Sequence, residues 1–184
     1  MIAAIILMPI IRSATEADAQ ALLDIYRPFI ESTAVSFETE VPSPQQYAAR
    51  IAKALKAWDW LVAEEDRKCI GYAYATEHRQ RAAYRWSVET SAYVNPAYHR
   101  RGIGKALYTE LFESLRAKGY CNAYAIVTLP NQASIALHES VGFELVGVFR
   151  RAGWKFGAWQ DVAWLQRVLR DLPPDEQLAD APAT

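Results

Sequence analysis

Cysteine is scarce in this 184-residue chain, where Cys69 and Cys121 are the only two. Two thiols make neither a disulfide framework nor a four-ligand metal site, so no metal is implied and packing must hold the fold. Both lie in apolar runs that read as strands, and the pattern predicts buried free thiols in a reducing cytoplasm. A surplus of charge is missing too. Twenty Lys and Arg against 21 Asp and Glu leave a formal net charge of −1, which argues against a nucleic-acid partner. Nor is there an apolar run long enough to span a membrane. The apolar start, Met1 to Ile11, is too short and has neither a basic leading region nor a small-residue cleavage site. Met8 offers an alternative start, and residues 1–7 are expected to be a leader outside the fold. No internal repeat occurs, no Walker loop, and no three-glycine dinucleotide fingerprint.

The composition that remains is 52% hydrophobic and 22% charged, that of an ordinary globular chain. A chain of this length buries about 70% of its unfolded surface in one domain. That domain is expected over residues 8–172, followed by a disordered, proline- and acid-rich tail at 173–184. Ile10-Ile11-Arg12 reads as a strand, and Thr15 with Asp18 as a capping box ahead of a helix. Ala19, Leu22, Leu23, Tyr26 and Ile30 follow at helical spacing. Residues 31–42 read as a loop carrying Phe37, and Ser43-Pro44 as the start of a second helix. Strands are expected at 60–63, 69–74 and 86–94, with a polar segment from Thr76 to Arg85 between the last two. A helix from about Gly104 to Lys118 carries the stripe Ile103, Leu107, Leu111 and Leu115. A strand at 123–128, a helix at 134–141 and strands at 144–149 and 160–169 complete a βααβββαβαββ order, a mixed α/β domain.

The segment Tyr93-Val94-Asn95-Pro96-Ala97-Tyr98-His99-Arg100-Arg101-Gly102-Ile103-Gly104-Lys105 is the most informative. A strand ends, the chain turns, and two glycines open an amphipathic helix. Free N–H groups at a helix start, together with its dipole, suit a pyrophosphate. Arg100, Arg101 and Lys105 add positive charge, and the glycines let backbone approach a ligand. His99-Arg100-Arg101-Gly102-Ile103-Gly104 resembles the Gln/Arg-x-x-Gly-x-Gly/Ala loop of GNAT-superfamily acetyltransferases, with His at the first position. Leu129-Pro130-Asn131-Gln132-Ala133-Ser134 and His138-Glu139-Ser140-Val141-Gly142-Phe143 resemble the phosphinothricin and methionine-sulfoximine N-acetyltransferase group. So do Ala14 to Asp18, Val88 to Val94 and Gly153 to Val162. The resemblance spans Ile10 to Leu169. It implies a GNAT-like fold with a mixed, mostly antiparallel central sheet flanked by helices. It also implies direct acetyl transfer from acetyl-CoA to the amino group of a small amino-acid-like substrate, in a ternary complex.

Acetyl transfer from a thioester to an amine needs a base for the amine and a proton for the thiolate. Glu89 is the candidate base, because a strand of otherwise uncharged residues would raise its pKa. In simple alternation Ser87, Glu89, Ser91 and Tyr93 share one face, unless a bulge intervenes. His138 is the second candidate, and the residues leave the division of labour between the two open. His78 and His99, in polar loops, are expected to be exposed. Arg79, Arg81 and Arg85 with Tyr84 precede the Glu89 strand and suit an anionic substrate through forked contacts. By resemblance Phe37, Arg79, Arg81, Tyr84 and Tyr93 contact the substrate. The pantetheine of acetyl-CoA runs along Ala92, Tyr93 and Val94 near Asn131, and its pyrophosphate meets Arg100 to Lys105. Exposed-looking Trp154, Phe156 and Trp159 suggest a homodimer surface. Other readings are a protein N-terminal or polyamine acetyltransferase, or a non-catalytic acyl-CoA sensor; retention of both Glu89 and His138 speaks against the sensor.

Overall fold

A computed structural model describes residues 9–171, so the expected leader, the tail and both domain limits lie outside the described residues. The chain runs β1 (Ile10–Ser13), α1 (Ala19–Glu31), α2 (Pro44–Ala57), β2 (Trp60–Glu65), β3 (Lys68–Glu77) and β4 (Ser87–Val94). It continues through α3 (Ile103–Ala117), β5 (Asn122–Leu129), α4 (Gln132–Ser140), β6 (Glu144–Lys155) and β7 (Ala158–Val168). One seven-stranded sheet has the order β1-β2-β3-β4-β5-β7-β6. Every neighbouring pair is antiparallel except β4 with β5. The element order is the one read from the hydrophobic periods.

Alternation along the strands sends two sets of side chains to two helical layers. Tyr72 and Tyr93 meet Tyr47 of α2 and Tyr26 of α1, whereas Thr90, of opposite parity, meets Tyr108 of α3. The α3 stripe Ile103, Leu107, Leu111 and Leu115 is fully buried, as its spacing requires. Ser43 caps α2: its Oγ accepts the Gln46 N–H at 3.2 Å, and Gln46 Oε1 accepts the Ser43 N–H at 2.7 Å.

Several expectations need correction. β3 runs on to Glu77, three residues past the apolar run, because its partner β4 continues to pair with it. The β3–β4 register is unbroken from Gly71↔Val94 to Glu77↔Val88, so no bulge disturbs the parity of β4. β6 and β7 form one long hairpin reaching Lys155 and Ala158, closed by Phe156 and Gly157 at φ 52° and 71°. Two positive φ values are the signature of a tight hairpin turn that matches strand twist. The register shifts between Phe149 and Gly153, where Arg151 has φ 52°, and that irregularity breaks the alternation that would mark a strand. Cys121 is buried just before β5 rather than in it, and Cys69, in β3, is only half-buried; both are free thiols.

The start of α1 rests on one carboxylate. Glu16–Asp18 is a 3-10 turn, and Asp18 accepts Arg12 on both oxygens at 2.9 and 2.7 Å. It also accepts the Thr15 N–H at 2.8 Å and the Thr15 hydroxyl at 3.0 Å. These donors, Arg12 foremost, hold its carboxyl down at about 2. A folded-state pKa below the unfolded value contributes stability that is complete above the unfolded pKa and lost as pH falls through the folded one. Asp18→Asn is therefore expected to cost about 1–3 kcal/mol at neutral pH in urea denaturation. The gap from the parent should close as pH drops from about 4 to about 2. A gap that persists undiminished at the acid end would show that the carboxylate charge is not the stabilising element.

Candidate active site

β4 and β5 pair through only three residue pairs, Ser87↔Asn122 to Glu89↔Tyr124, and then part. At the parting point the Thr90 hydroxyl donates to the Tyr124 carbonyl at 3.2 Å. Beyond it β4 is paired only with β3, and β5 only with β7. The edges that face each other across the opening thus carry backbone groups without a partner strand, a setting in which an extended ligand can pair as a strand would. A small cavity of about 50 Å³ opens there, bordered by Ala92, Tyr93, Thr128, Asn131, Ser134 and His138. Asn131 caps α4, its Oδ1 accepting the Ser134 N–H at 3.1 Å.

The end of β4 turns into an anion cradle. Asn95 Oδ1 accepts the Ala97 N–H at 3.0 Å. His99 is exposed as expected, yet its Nε2 lies 3.0 Å from the Val94 carbonyl and must donate to it. Arg100 and Gly102 have φ 61° and 77°, and the first bond of α3 runs from the Ala106 N–H to Gly102 O at 3.0 Å. The N–H groups of Ile103, Gly104 and Lys105 therefore have no place in the helical ladder. Free N–H groups after left-handed residues at a helix start form a concavity for a diphosphate. Arg100 and Lys105 are exposed beside it. One expectation changes here. Arg101 is tied to Glu65 at 2.5 Å, so much of its charge is neutralised. Gly104 also packs closely on α4, where a Cβ would lie 2.9 Å from Leu137 Cδ2, while Gly102 has open space around it.

Glu89 projects from the last paired position of β4, on the face that carries Thr76 and Tyr74 of β3. Burial pushes its carboxyl above the ordinary range, while the hydrogen bond and charge of His78 and the charge of Arg79 pull it back. His78 Nδ1 is 3.1 Å from Glu89 Oε1. This histidine is not exposed: its side chain is 7% accessible and stacks on Tyr124 at 4.3 Å and 15°. His138 lies across β4 on the α3 side. Its Nδ1 is 2.7 Å from the Ser134 carbonyl and must donate, so a neutral ring leaves Nε2 to accept from the Tyr108 hydroxyl at 2.9 Å. Burial lowers its pKa below the usual imidazole value, with the Ser134 bond opposing, which keeps that ring neutral. Glu89 and His138 thus flank the opening from opposite faces without touching.

The sequence pattern of the acetyltransferase (GNAT) domain matches residues 11–164. The chain belongs to the GNAT acetyltransferase family. It is 41% identical over 157 residues to a phosphinothricin N-acetyltransferase of Streptomyces viridochromogenes, covering 85% of this chain and 86% of that one. It is 34% identical to an L-methionine sulfoximine/L-methionine sulfone acetyltransferase of Salmonella typhimurium, covering 85% and 92%. A crystal structure of a GNAT superfamily phosphinothricin acetyltransferase from Sinorhizobium meliloti in complex with AcCoA superposes with a TM-score of 0.90. That pair is 35% identical, over 96% of this chain and 98% of the other. The expected fold and the dependence on acetyl-CoA therefore stand. The opening between β4 and β5 and the N–H cradle at α3 fit an acyl-CoA: one offers strand-like backbone pairing, the other donors for a diphosphate.

Around this acetyltransferase opening the expected substrate residues separate into two groups. Arg79 lies over the Tyr84 ring at 5.8 Å, and Tyr84 meets His78 edge-on at 5.6 Å, so these gather at Glu89. Arg81 is exposed with no ion-pair partner among the described residues, and Arg85 stacks on Trp86 at 5.1 Å instead. Tyr93 borders the cavity but packs its ring against Tyr26 at 4.8 Å, Phe29 at 5.2 Å and Tyr72 at 5.4 Å, which makes it largely a wall. Phe37 sits on the α1–α2 loop against Gly153 of β6, where a Cβ would come within 2.3 Å of the Phe37 ring. Lys155, buried at the end of β6, fixes that loop by donating to the Ile30 and Ser36 carbonyls, each at 2.7 Å. His78, Tyr108 and Lys155 escaped sequence reasoning. Only the register of the longer β3 against Glu89 would have revealed His78.

His78→Phe preserves a ring against Tyr124 but removes the donor to Glu89. Since that donor lowers the Glu89 pKa, its loss raises it. The acidic limb of the kcat/KM profile is expected to move to higher pH, with the plateau at alkaline pH less affected. A limb that stays in place would mean Glu89 does not set it.

Proposed function

We propose that this acetyltransferase transfers acetyl from acetyl-CoA to the α-amino group of a small amino-acid analogue of the phosphinothricin or methionine sulfoximine/sulfone type. The observation that carries this is Glu89, a partly buried carboxylate of raised pKa at the point where β4 leaves β5, with His78 and Arg79 beside it. The names of the relatives that match over most of their length agree with it. Ala92, Tyr93 and Val94 hold the pantetheine arm along the free edge of β4, near Asn131. Arg100, Gly102, Ile103, Gly104 and Lys105 hold the diphosphate through backbone N–H groups and charge, with Arg101 contributing less. Acetyl-CoA supplies the activated thioester carbonyl.

Glu89 takes a proton from the substrate ammonium, directly or through water, freeing the nitrogen lone pair to attack that carbonyl. Arg79 and Tyr84 orient the acidic groups of the substrate, with Phe37 and Tyr93 as apolar walls and Arg81 at the rim. The nitrogen of the tetrahedral adduct still carries a second acidic proton, and the departing sulfur takes that proton up as the adduct collapses. His138, with the Tyr108 hydroxyl at its Nε2, stands on the sulfur side of the opening as the relay for that transfer. Among the described residues no helix is long and apolar enough to cross a membrane and no cluster suits a metal ion. The free thiols suit a cytoplasmic enzyme. The β6–β7 hairpin exposes Trp154, Phe156 and Trp159 by more than half, which supports a homodimer built on that face. Light scattering should then give twice 20.7 kDa.

Glu89→Gln is expected to lower kcat about 10²–10⁴-fold, and His138→Phe by less, because thiolate is a good leaving group. Near-normal turnover in both would remove these residues from catalysis. In a free-thiol assay methionine sulfoximine should be acetylated far better than spermidine or a short peptide. The guanidinium groups repel polycations, and Arg81→Ala should act mainly on KM. A preference for spermidine or the peptide would overturn the substrate class while leaving the acetyltransferase family untouched.

A further inference from the structure

The opening between β4 and β5 has a blind end. The strands rejoin at Glu89↔Tyr124, and the next residue of β4, Thr90, ties them together by donating its hydroxyl to the Tyr124 carbonyl at 3.2 Å. Thr90 is 3% exposed, yet it borders the cavity of about 50 Å³, together with Tyr108, Val127 and His138. None of these walls is free to move. Thr90 is β-branched, so one committed hydroxyl fixes its γ-methyl as well. The Tyr108 ring is fully buried, stacks on Phe112 at 5.3 Å and 22°, and bonds His138 Nε2 at 2.9 Å. Val127 is held through the pairing of β5 with Ala163 of β7.

The direction of the acyl donor follows from the placement proposed above, on which this inference rests. With the diphosphate at the start of α3 and the pantetheine arm along Val94 to Ala92, the thioester points back down β4. Two residues of strand separate Ala92 from Thr90, about 7 Å. On the same volume scale a water needs about 10–15 Å³, so the cavity takes about four atoms of that size. A thioester end has four: sulfur, carbonyl carbon, oxygen and methyl. We propose that Thr90 is the acyl-length determinant of this enzyme, its side chain closing the opening so that acetyl fits and longer acyl groups do not. A propionyl group adds one more carbon against Thr90. The thioester must then back up the opening, away from Glu89, and a displacement of about 1 Å is enough to cost a large factor in rate. The other way out lies on the Glu89 face, past Val35 and Ile126, and that is where the amine must stand.

The test is kcat/KM for acetyl-CoA and propionyl-CoA, with methionine sulfoximine as the amine, in the parent, Thr90→Ala, Thr90→Ser and Thr90→Val. The parent should favour acetyl by about 10–200-fold, the usual range for one methylene in a fitted pocket. Thr90→Ala should lower that ratio about tenfold or more. Thr90→Ser, which retains the hydrogen bond and removes only the methyl, should move it the same way by less. Thr90→Val keeps the bulk and should keep the parent ratio. Because each ratio is taken within one variant, a general loss of folding or of base strength lowers both donors and cancels. A parent ratio near one, an unchanged ratio in Thr90→Ala, or a Thr90→Val ratio as relaxed as that of Thr90→Ala would overturn the proposal. Titration of both acyl-CoAs without an amine gives the same comparison as affinities: acetyl-CoA tighter in the parent, the gap closing in Thr90→Ala. Should methionine sulfoximine not be turned over at all, the substrate class fails and these affinities still decide the role of Thr90; equal gaps in parent and Thr90→Ala would refute it.

Discussion

Three residue pairs hold β4 to β5, and the opening that fits an acyl-CoA exists because there are not more. A parallel pair in the middle of a sheet would ordinarily run the length of its strands, since unpaired backbone groups are costly away from water. Here β5 has β7 along its whole length and β4 has β3, so each strand is secure on one side while the facing edges separate. The opening is therefore a permanent edge inside the sheet, held by two stable ladders rather than by a mobile loop. Glu89 stands where it begins, Asn131 and α4 close one side, and the N–H cradle of α3 lies at the end of β4.

The electrostatics of the opening follow from its position in the sheet. The last paired residue of β4 is half shielded, which raises the Glu89 carboxyl, and His78 limits how far it rises. A carboxyl raised by burial and restrained by one hydrogen-bond donor is a stronger base than an exposed one. On the opposite face His138 shares its two nitrogens between Ser134 and Tyr108, an arrangement that fixes one tautomer and favours the neutral ring. The two groups whose division of labour the sequence leaves open are thus separated by the strand itself, and of the two Glu89 is the one beside Arg79.

The walls around the opening are set from a distance. Lys155, far along the chain at the end of β6, pins the α1–α2 loop through two carbonyls, and Gly153 beside it leaves room for the Phe37 ring. The β6–β7 hairpin is thus both the outer edge of the sheet and the brace of the α1–α2 loop. Its exposed tryptophans lie on that same hairpin, so association through it would act on the loop as well.

The sequence alone determined the elements and their order, because apolar stripes such as Leu107-Leu111-Leu115 and caps such as Ser43 with Gln46 are local properties of a few residues. It also determined the cradle, since Gly102 and the free N–H groups of a helix start are set by neighbours in the chain. Glu89 was legible as the lone charge in a strand of otherwise uncharged residues. The tertiary structure alone decided which partners those groups have. His78 reads as a polar-loop residue until β3 and β4 are paired through Glu77, and only that register brings it to Glu89. Gly104 reads only as a cradle residue until α4 arrives with Leu137 and leaves no room for a side chain there. Arg101 reads as free charge until β2 presents Glu65. Lys155 and the bond from Thr90 to the Tyr124 carbonyl have no sequence signal at all, because each depends on elements that meet only after folding. Contacts between residues far apart in the chain are fixed by sheet order and helix packing, and those are properties of the whole fold.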